Sequence, residues 1–462
     1  MKIYNSLSRK TEDFKPQHDD LVTMYCCGPT VYMYSTIGNF RTYFLADILN
    51  RTLVFNGYKV HFIMNITDVG HLSGDNAGDA DIGEDRVEKS AKEEGKTAKE
   101  ITDFYTKDFL KQYDKLNLKR PVKFPKATEF IDKQIKLVGM LEEKGYTYKT
   151  NDGIYFDTAK YSKYGELSGL SIDSIKEGAR VEINPEKKSP SDFALWKYSP
   201  SDVQRQQEWD SPWGKGYPGW HLECSAMSIS ELGETIDIHL GGEDLKMIHH
   251  QNEIAQSECA TGKEFVKYWV HGAFIQIDGG RMGKSLGNAY TVTDIEQRGY
   301  DPMVLRYFYM SAHYRNPLNF TWEAMDNAQN SLKKLYDIVG GLKMEKDGKV
   351  SEKYIERFKE KINDDLNMPE ALAVMWEMMK NSISESSKLA TVLKMDEVLG
   401  LRLDDKVGYV IPQEIIDMAK TRVEYRNSGI WDKADLLRKQ IAERGYILED
   451  LPEGNFKIKK KI

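Results

Sequence analysis

Two apolar runs flanking one amphipathic stretch near the N-terminus leave the chain few ways to fold. Residues 21 to 27 (LVTMYCC) have the make-up of a strand. From Phe40 the apolar positions Phe40, Phe44, Leu45, Ile48, Leu49 and Leu53 recur at helical spacing until Asn56-Gly57 stops them. Lys59 to Ile66 (KVHFIMNI) is then a second, nearly continuous apolar strand, as expected where both faces are covered. Strand, helix and strand in this order make a right-handed parallel crossover, the opening of a doubly wound α/β sheet that binds nucleotides.

Alternation resumes in TIDIHL (235 to 240), followed by a helix from about 247 to 261 and a strand from Trp269 to Ile277. These complete the sheet. The span between the halves reads as an insertion. Residues 69 to 126 begin as a charged, acidic connection and regain helical periodicity from about Thr97. From 127 to about 205 come a helix (Ala127 to Lys144), a Tyr-rich hairpin turning at Asp152-Gly153, and polar loops. Beyond Tyr290 the pattern is helical: Met303 to Ser311, Glu323 to Gly340, Ser351 to Asn363 and Pro369 to Met395 suggest a bundle. After a polar break at 402 to 408, Pro412 to Arg426 and Trp431 to Arg444 form a smaller helical unit that ends in the basic KIKKKI tail. The expected domains are 1–320, with a connective insertion at about 120–205, then a helical bundle at 321–402 and a C-terminal unit at 403–462.

A length of 462 residues, 40% hydrophobic and 30% charged, suits a globular chain of several domains. The formal charge of -7 argues against coating nucleic acid through bulk charge, while local basic patches can still grip a phosphate backbone. Four cysteines, two of them adjacent, do not make a disulfide scaffold and fit a reducing compartment. With no signal-like leader and no run near the ~18 apolar residues of a membrane span, a cytoplasmic location is expected.

Three features carry chemistry. First, the connection after LVTMYCC ends in Thr36-Ile37-Gly38-Asn39 at a helix start, where free backbone N–H groups and the positive dipole end can bind an anion. The same residues could be only a capped helix start. Second, RMGKSLGN (281 to 288) is glycine-rich and carries Arg281 and Lys284, a charge suited to polyphosphate or to an ordinary basic surface loop. Third, His249 and Glu253 stand at i and i+4 on one helical face and can reach one ion, with His250 turned roughly 100° away. Cys224 and one of Cys26 and Cys27 could complete a Cys-Cys-His-Glu zinc site. Alternation sends the adjacent pair to opposite faces, so only one can be a ligand, and spacing does not choose between them. Cysteines buried as small hydrophobes and a surface His-Glu pair would leave the same pattern.

Taken in order, YCCGPTVY, TIGNFRT, NITD (65 to 68), GWHLECSAMS, HHQNEIAQSE and RMGKSLGN resemble cysteinyl-tRNA synthetase, a class I aminoacyl-tRNA synthetase, and the similarity reaches the C-terminal ADLLRKQIAERGYILEDLPEG. The resemblance implies a Rossmann-type catalytic domain that joins L-cysteine to tRNA-Cys through a cysteinyl-adenylate. It implies zinc on Cys27, Cys224, His249 and Glu253, holding the substrate thiolate. Zinc favours sulfur over a serine hydroxyl, so one metal-sulfur bond can reject serine more strongly than a hydrophobic pocket could.

The resemblance assigns the amino acid to Gly28, Thr67 and Trp220, and ATP with Mg²⁺ to Thr36, Gly38 and Asn39 together with Arg281, Met282, Gly283, Lys284 and Ser285. Thr36, Asn39 and Lys284 are the expected catalytic residues. Arg426, Arg438, Lys439, Arg444 and the tail are expected to meet the anticodon, and a monomer is expected. Departures from the family pattern are Thr36 for the first histidine of HIGH, and Arg281 and Gly283 within the KMSKS element. Two rivals share the active-site motifs: a ligase that places cysteine on an amino-sugar, and a non-catalytic RNA-binding paralogue.

Overall fold

The computed structural model describes residues 1–70, 85–169, 184–200, 205–283, 286–343, 348–408, 412–451 and 455–460. Lys284, Ser285 and part of the acidic connection (71–84) lie outside the described residues.

The core is a four-stranded parallel sheet of β1 (Leu21–Cys26), β2 (Lys59–Met64), β3 (Ile236–Gly242) and β4 (Val266–Gly272), in the spatial order β4-β3-β1-β2. The crossover helix α1 (Ile37–Phe55) joins β1 to β2, and helix α3 (His249–Thr261) lies between β3 and β4. The chain therefore winds outward from β1 in one direction and from β3 in the other. The carboxyl ends of these adjacent central strands form the crevice where such sheets bind ligands. The fourth strand ends at Gly272, and Ile275–Ile277 belongs instead to a small sheet with Gly280–Arg281 and Leu318–Phe320.

Both faces of the sheet are covered, which is why its strands are largely apolar. Val22, Met24 and Cys26 pack into the cluster that holds α1, whereas Tyr25 and Cys27 pack on the opposite side with Cys224 and Trp269. Helix α1 buries almost its whole surface, including Arg41, Asp47 and Arg51. It stops at Asn56, followed by Gly57 at φ 96°.

The segment between β2 and β3 contributes the helices Arg86–Glu94, Ala98–Lys115 and Ile131–Glu143, then an antiparallel sheet of Thr147–Lys149, Gly153–Phe156, Phe193–Tyr198 and Gly216–Pro218. This leads into helix α2 (Trp220–Leu232). The bundle comprises Trp322–Gly341, Glu352–Asn363, Met368–Lys380 and Glu385–Leu399. The run expected as one helix from Pro369 to Met395 is two helices, because Ser384 caps a new start by accepting from the Ser387 N–H. The C-terminal unit has its own small core of Ile415, Ala419, Ile441 and Leu448. It closes with a hairpin, Tyr446–Asp450 against Phe456–Lys460, that the sequence reading did not anticipate. Side chains of most of the KIKKKI tail lie outside the described residues.

Candidate active site

The loop leaving β1 is held against the loop leaving β2. Cys27 donates its N–H to the Leu240 carbonyl, Thr67 donates to Pro29 and Val31 to Thr67, each at 3.0 Å. The approach is so close that a Cβ on Gly28 would stand 1.8 Å from the Asn65 carbonyl oxygen, so only glycine fits there.

Cys27 projects to the face where helices α2 and α3 begin, and the pleat sends Cys26 into the apolar cluster behind the sheet. Cys27, Cys224, His249 and Glu253 are all buried and place one donor atom each within 4.8 Å of one another. The Cys27 and Cys224 Sγ atoms are 3.8 Å apart, Cys27 Sγ is 3.7 Å from Glu253 Oε1, and that oxygen is 3.0 Å from His249 Nε2. Burial pushes the Cys27 thiol well up, with Cys224 adding to it, while the bond from Cys27 draws Cys224 down against its own burial. Burial would depress His249, but the Glu253 charge and the bond to Cys224 lift it to about 10. Glu253 Oε2 is buried without a hydrogen bond. Two sulfurs, an imidazole and an underused carboxylate form a donor set that fits zinc. Metal entry would displace the His249 proton. His249 Nδ1 lies 3.1 Å from His221 Nδ1, the outer-shell contact that orients a ligating imidazole.

Sequence reasoning missed further histidines. His239 and His250 bring their Nε2 atoms to 3.4 Å and 3.3 Å of Cys27 Sγ, and with Cys27 and Glu253 they form a second, overlapping donor group. His250 was expected to face away. It reaches the cluster because His249 and His250 open helix α3, and a point near the end of a helix is accessible from several faces. Burial lowers His239 to about 4 and His271 to about 3, and carries His250 well down, so these rings are neutral. His250 Nδ1 is bonded to His271 Nε2 at 2.8 Å. The available signal was His239 itself, a polar residue at an inward position of an apolar strand.

The residues expected to hold the amino acid adjoin this cluster. Trp220 opens helix α2 and packs on His249 with ring centroids 4.4 Å apart. Gly28 donates its N–H to Asn65 Oδ1 at 2.8 Å, and Thr67 donates its hydroxyl to Glu223 Oε2 at 3.0 Å.

The two expected ATP elements meet. Ile37 donates its N–H to the Tyr290 carbonyl at 2.8 Å, Thr36 pairs with Thr291, and Met282 lies against Gly38 so closely that a Cβ there would be 2.3 Å from its Cε. Thr36 is a true N-cap. Its hydroxyl accepts from Asn39 N–H at 3.3 Å and donates to Asn39 Oδ1 at 2.8 Å. The capping function and a place beside the second element therefore coincide. Asn288 closes the base of that loop by accepting from Gly283 N–H and donating to the Arg281 carbonyl. In the C-terminal unit Arg426 pairs with Asp450 and Arg444 with Glu414, while Arg438 and Lys439 are exposed.

The family described as tRNA synthetases class I (C) catalytic domain matches residues 13–330, and the DALR domain matches 357–404, inside the helical bundle. "Cysteine--tRNA ligase 1" of Burkholderia lata is 43% identical over 457 residues, which is 98% of this chain and 96% of that protein. Two crystal structures of Mycobacterium tuberculosis methionyl-tRNA synthetase with methionyl-adenylate superpose with TM-scores of 0.56 at 13% identity, covering 83% and 84% of this chain and 90% of each of those, and share its fold. Among the described residues no helix is long and apolar enough to cross a membrane. A parallel sheet split at its centre, a buried thiol-imidazole-carboxylate cluster at that split, and similarity along nearly the whole length agree: the chain belongs to the cysteinyl-tRNA synthetase family of class I aminoacyl-tRNA synthetases.

Proposed function

We propose that the chain activates L-cysteine with ATP and Mg²⁺ and transfers it to tRNA-Cys. The observation that carries this reading is the buried Cys27, Cys224, His249 and Glu253 set at the sheet's switch point, in a chain so similar to a cysteine–tRNA ligase. Zinc held by these four residues would supply a soft Lewis acid for the substrate thiol. Two thiolates favour this set over the overlapping one, which leaves His239 and His250 as neutral lining.

The chain's own groups position the rest. Trp220 on His249, and Thr67 linked to Gly28 through Asn65, bound the amino acid. The positive dipole end at the start of α1 and the residues Arg281 to Ser285 hold the triphosphate. The cysteine carboxylate attacks the α-phosphorus, and the bond to the bridging oxygen breaks, releasing pyrophosphate. Lys284 and Arg281 neutralise the charge that gathers on that leaving group. A ribose hydroxyl of the terminal adenosine then attacks the acyl carbon, and AMP leaves. The DALR match and the C-terminal unit with Arg438 and Lys439 support tRNA, rather than an amino-sugar, as acceptor.

ATP–pyrophosphate exchange followed by charging of a tRNA-Cys transcript tests the proposal. Exchange with cysteine but not serine, then charging, is expected. Absence of exchange would overturn the activity, and exchange without charging would transfer the chain to the amino-sugar ligase class.

A further inference from the structure

A continuous hydrogen-bond chain runs beside the Cys-His-Glu cluster, and its direction is set from the Gly28 end. It begins at the Gly28 backbone N–H, which can only donate and lies 2.8 Å from one amide atom of Asn65, so that atom is Oδ1. The other amide atom is therefore the NH₂ group, and it donates to Thr67 Oγ1 at 3.0 Å. The chain ends at Glu223 Oε2, which accepts the Thr67 hydroxyl proton at 3.0 Å. All of these groups except the partly buried Gly28 are buried, and Glu223 has no exposed surface.

The consequence falls on Thr67. A hydroxyl has one proton and two acceptor positions. Its proton is committed to Glu223 and one acceptor position to Asn65, so it can offer a substrate only a lone pair. The Gly28 N–H is likewise spent inside the protein and cannot meet a substrate carboxylate. Gly28 and Thr67, two of the three residues expected at the amino acid, are thus stripped of free donors.

We propose that Asn65 and Glu223 are positioning residues that fix Thr67 as an acceptor for the α-ammonium group of the substrate. This rests on the reading of Gly28 and Thr67 as part of the cysteine pocket. In a Glu223→Gln variant the new amide can turn its NH₂ toward Thr67, releasing the hydroxyl proton to point at the ammonium group.

Equilibrium binding to the zinc-loaded full-length chain tests this with three thiols: L-cysteine, cysteamine (no carboxylate) and 3-mercaptopropionate (no amine). Glu223→Gln is expected to weaken L-cysteine and cysteamine at least tenfold and to leave 3-mercaptopropionate within twofold, with zinc content unchanged. Glu223→Asp, which keeps a carboxyl group, should recover much of the loss. Should Glu223→Gln not retain zinc, Asn65→Ala gives the same reading away from helix α2, with at least a threefold selective loss for the two amines. Equal weakening of all three thiols, or no change in the two amines, overturns the proposal. Failure of the unaltered protein to bind L-cysteine would instead overturn the pocket itself.

Discussion

Cys224 sits where a side chain must be both buried and able to lose its proton, a combination that serine cannot match. Serine in its place removes a soft donor and leaves a hydroxyl among groups arranged for a cation. Cys224→Ser is therefore expected to lose most of its zinc on metal analysis and to raise the KM for cysteine at least tenfold. Full zinc occupancy in that variant would remove Cys224 from the ligand set. Parity along β1 made plain that Cys26 and Cys27 part company, but not which of them faces α2 and α3, because that depends on where distant helices dock. The same dependence hid His239 and His250. Nothing in TIDIHL or HHQNE says that three elements converge on one sulfur atom.

At the scale of elements, α1 is tied to the bundle by buried charge. Arg306, wholly buried, donates to Asp47 Oδ2 at 2.6 Å and to the Leu399 carbonyl at 2.7 Å, and Arg51 joins Asp47 to the Glu397 carbonyl. Burial works to raise the Asp47 carboxyl, but Arg306 and Arg51 outweigh it and hold it below its ordinary value. A carboxylate depressed on folding adds stability that is complete above its unfolded value, about pH 4, and is lost as the pH falls through the folded one. Asp47→Asn also strands buried Arg306, at a cost of about 3–5 kcal/mol. Thermal melts should show a large deficit for this variant at pH 7 that narrows below about pH 4, and a deficit independent of pH would contradict the assignment. These polar ties were invisible in a periodicity that recorded only the apolar residues of α1. Most helices were legible from their apolar spacing. The break after Lys380 was not, since Asn381 to Ser384 interrupts helical hydrogen bonding without interrupting the apolar pattern.

For the whole molecule, the crossover from β1 to β2 was legible because it is local. The pairing of β1 with β3 was not, because the pairing partners are separated by the whole inserted region. The C-terminal unit, with a core that shares no residue with the other clusters, is separable in principle. Removal of residues 409–462 should leave cysteine-dependent pyrophosphate exchange within about threefold and lower kcat/KM for tRNA at least a hundredfold. An equal loss of both would mean that this unit supports the catalytic fold instead.

The contact between Ile37 and Tyr290 has a bearing on how the proposed nucleotide site can fail. Its two halves lie far apart along the chain, yet the first amide of α1 is satisfied by the segment that follows the second element's base. Opening either half breaks the bond that completes the other. The site should therefore open as one cooperative unit, so that a lesion at the start of α1 and one after Asn288 have the same local-unfolding signature.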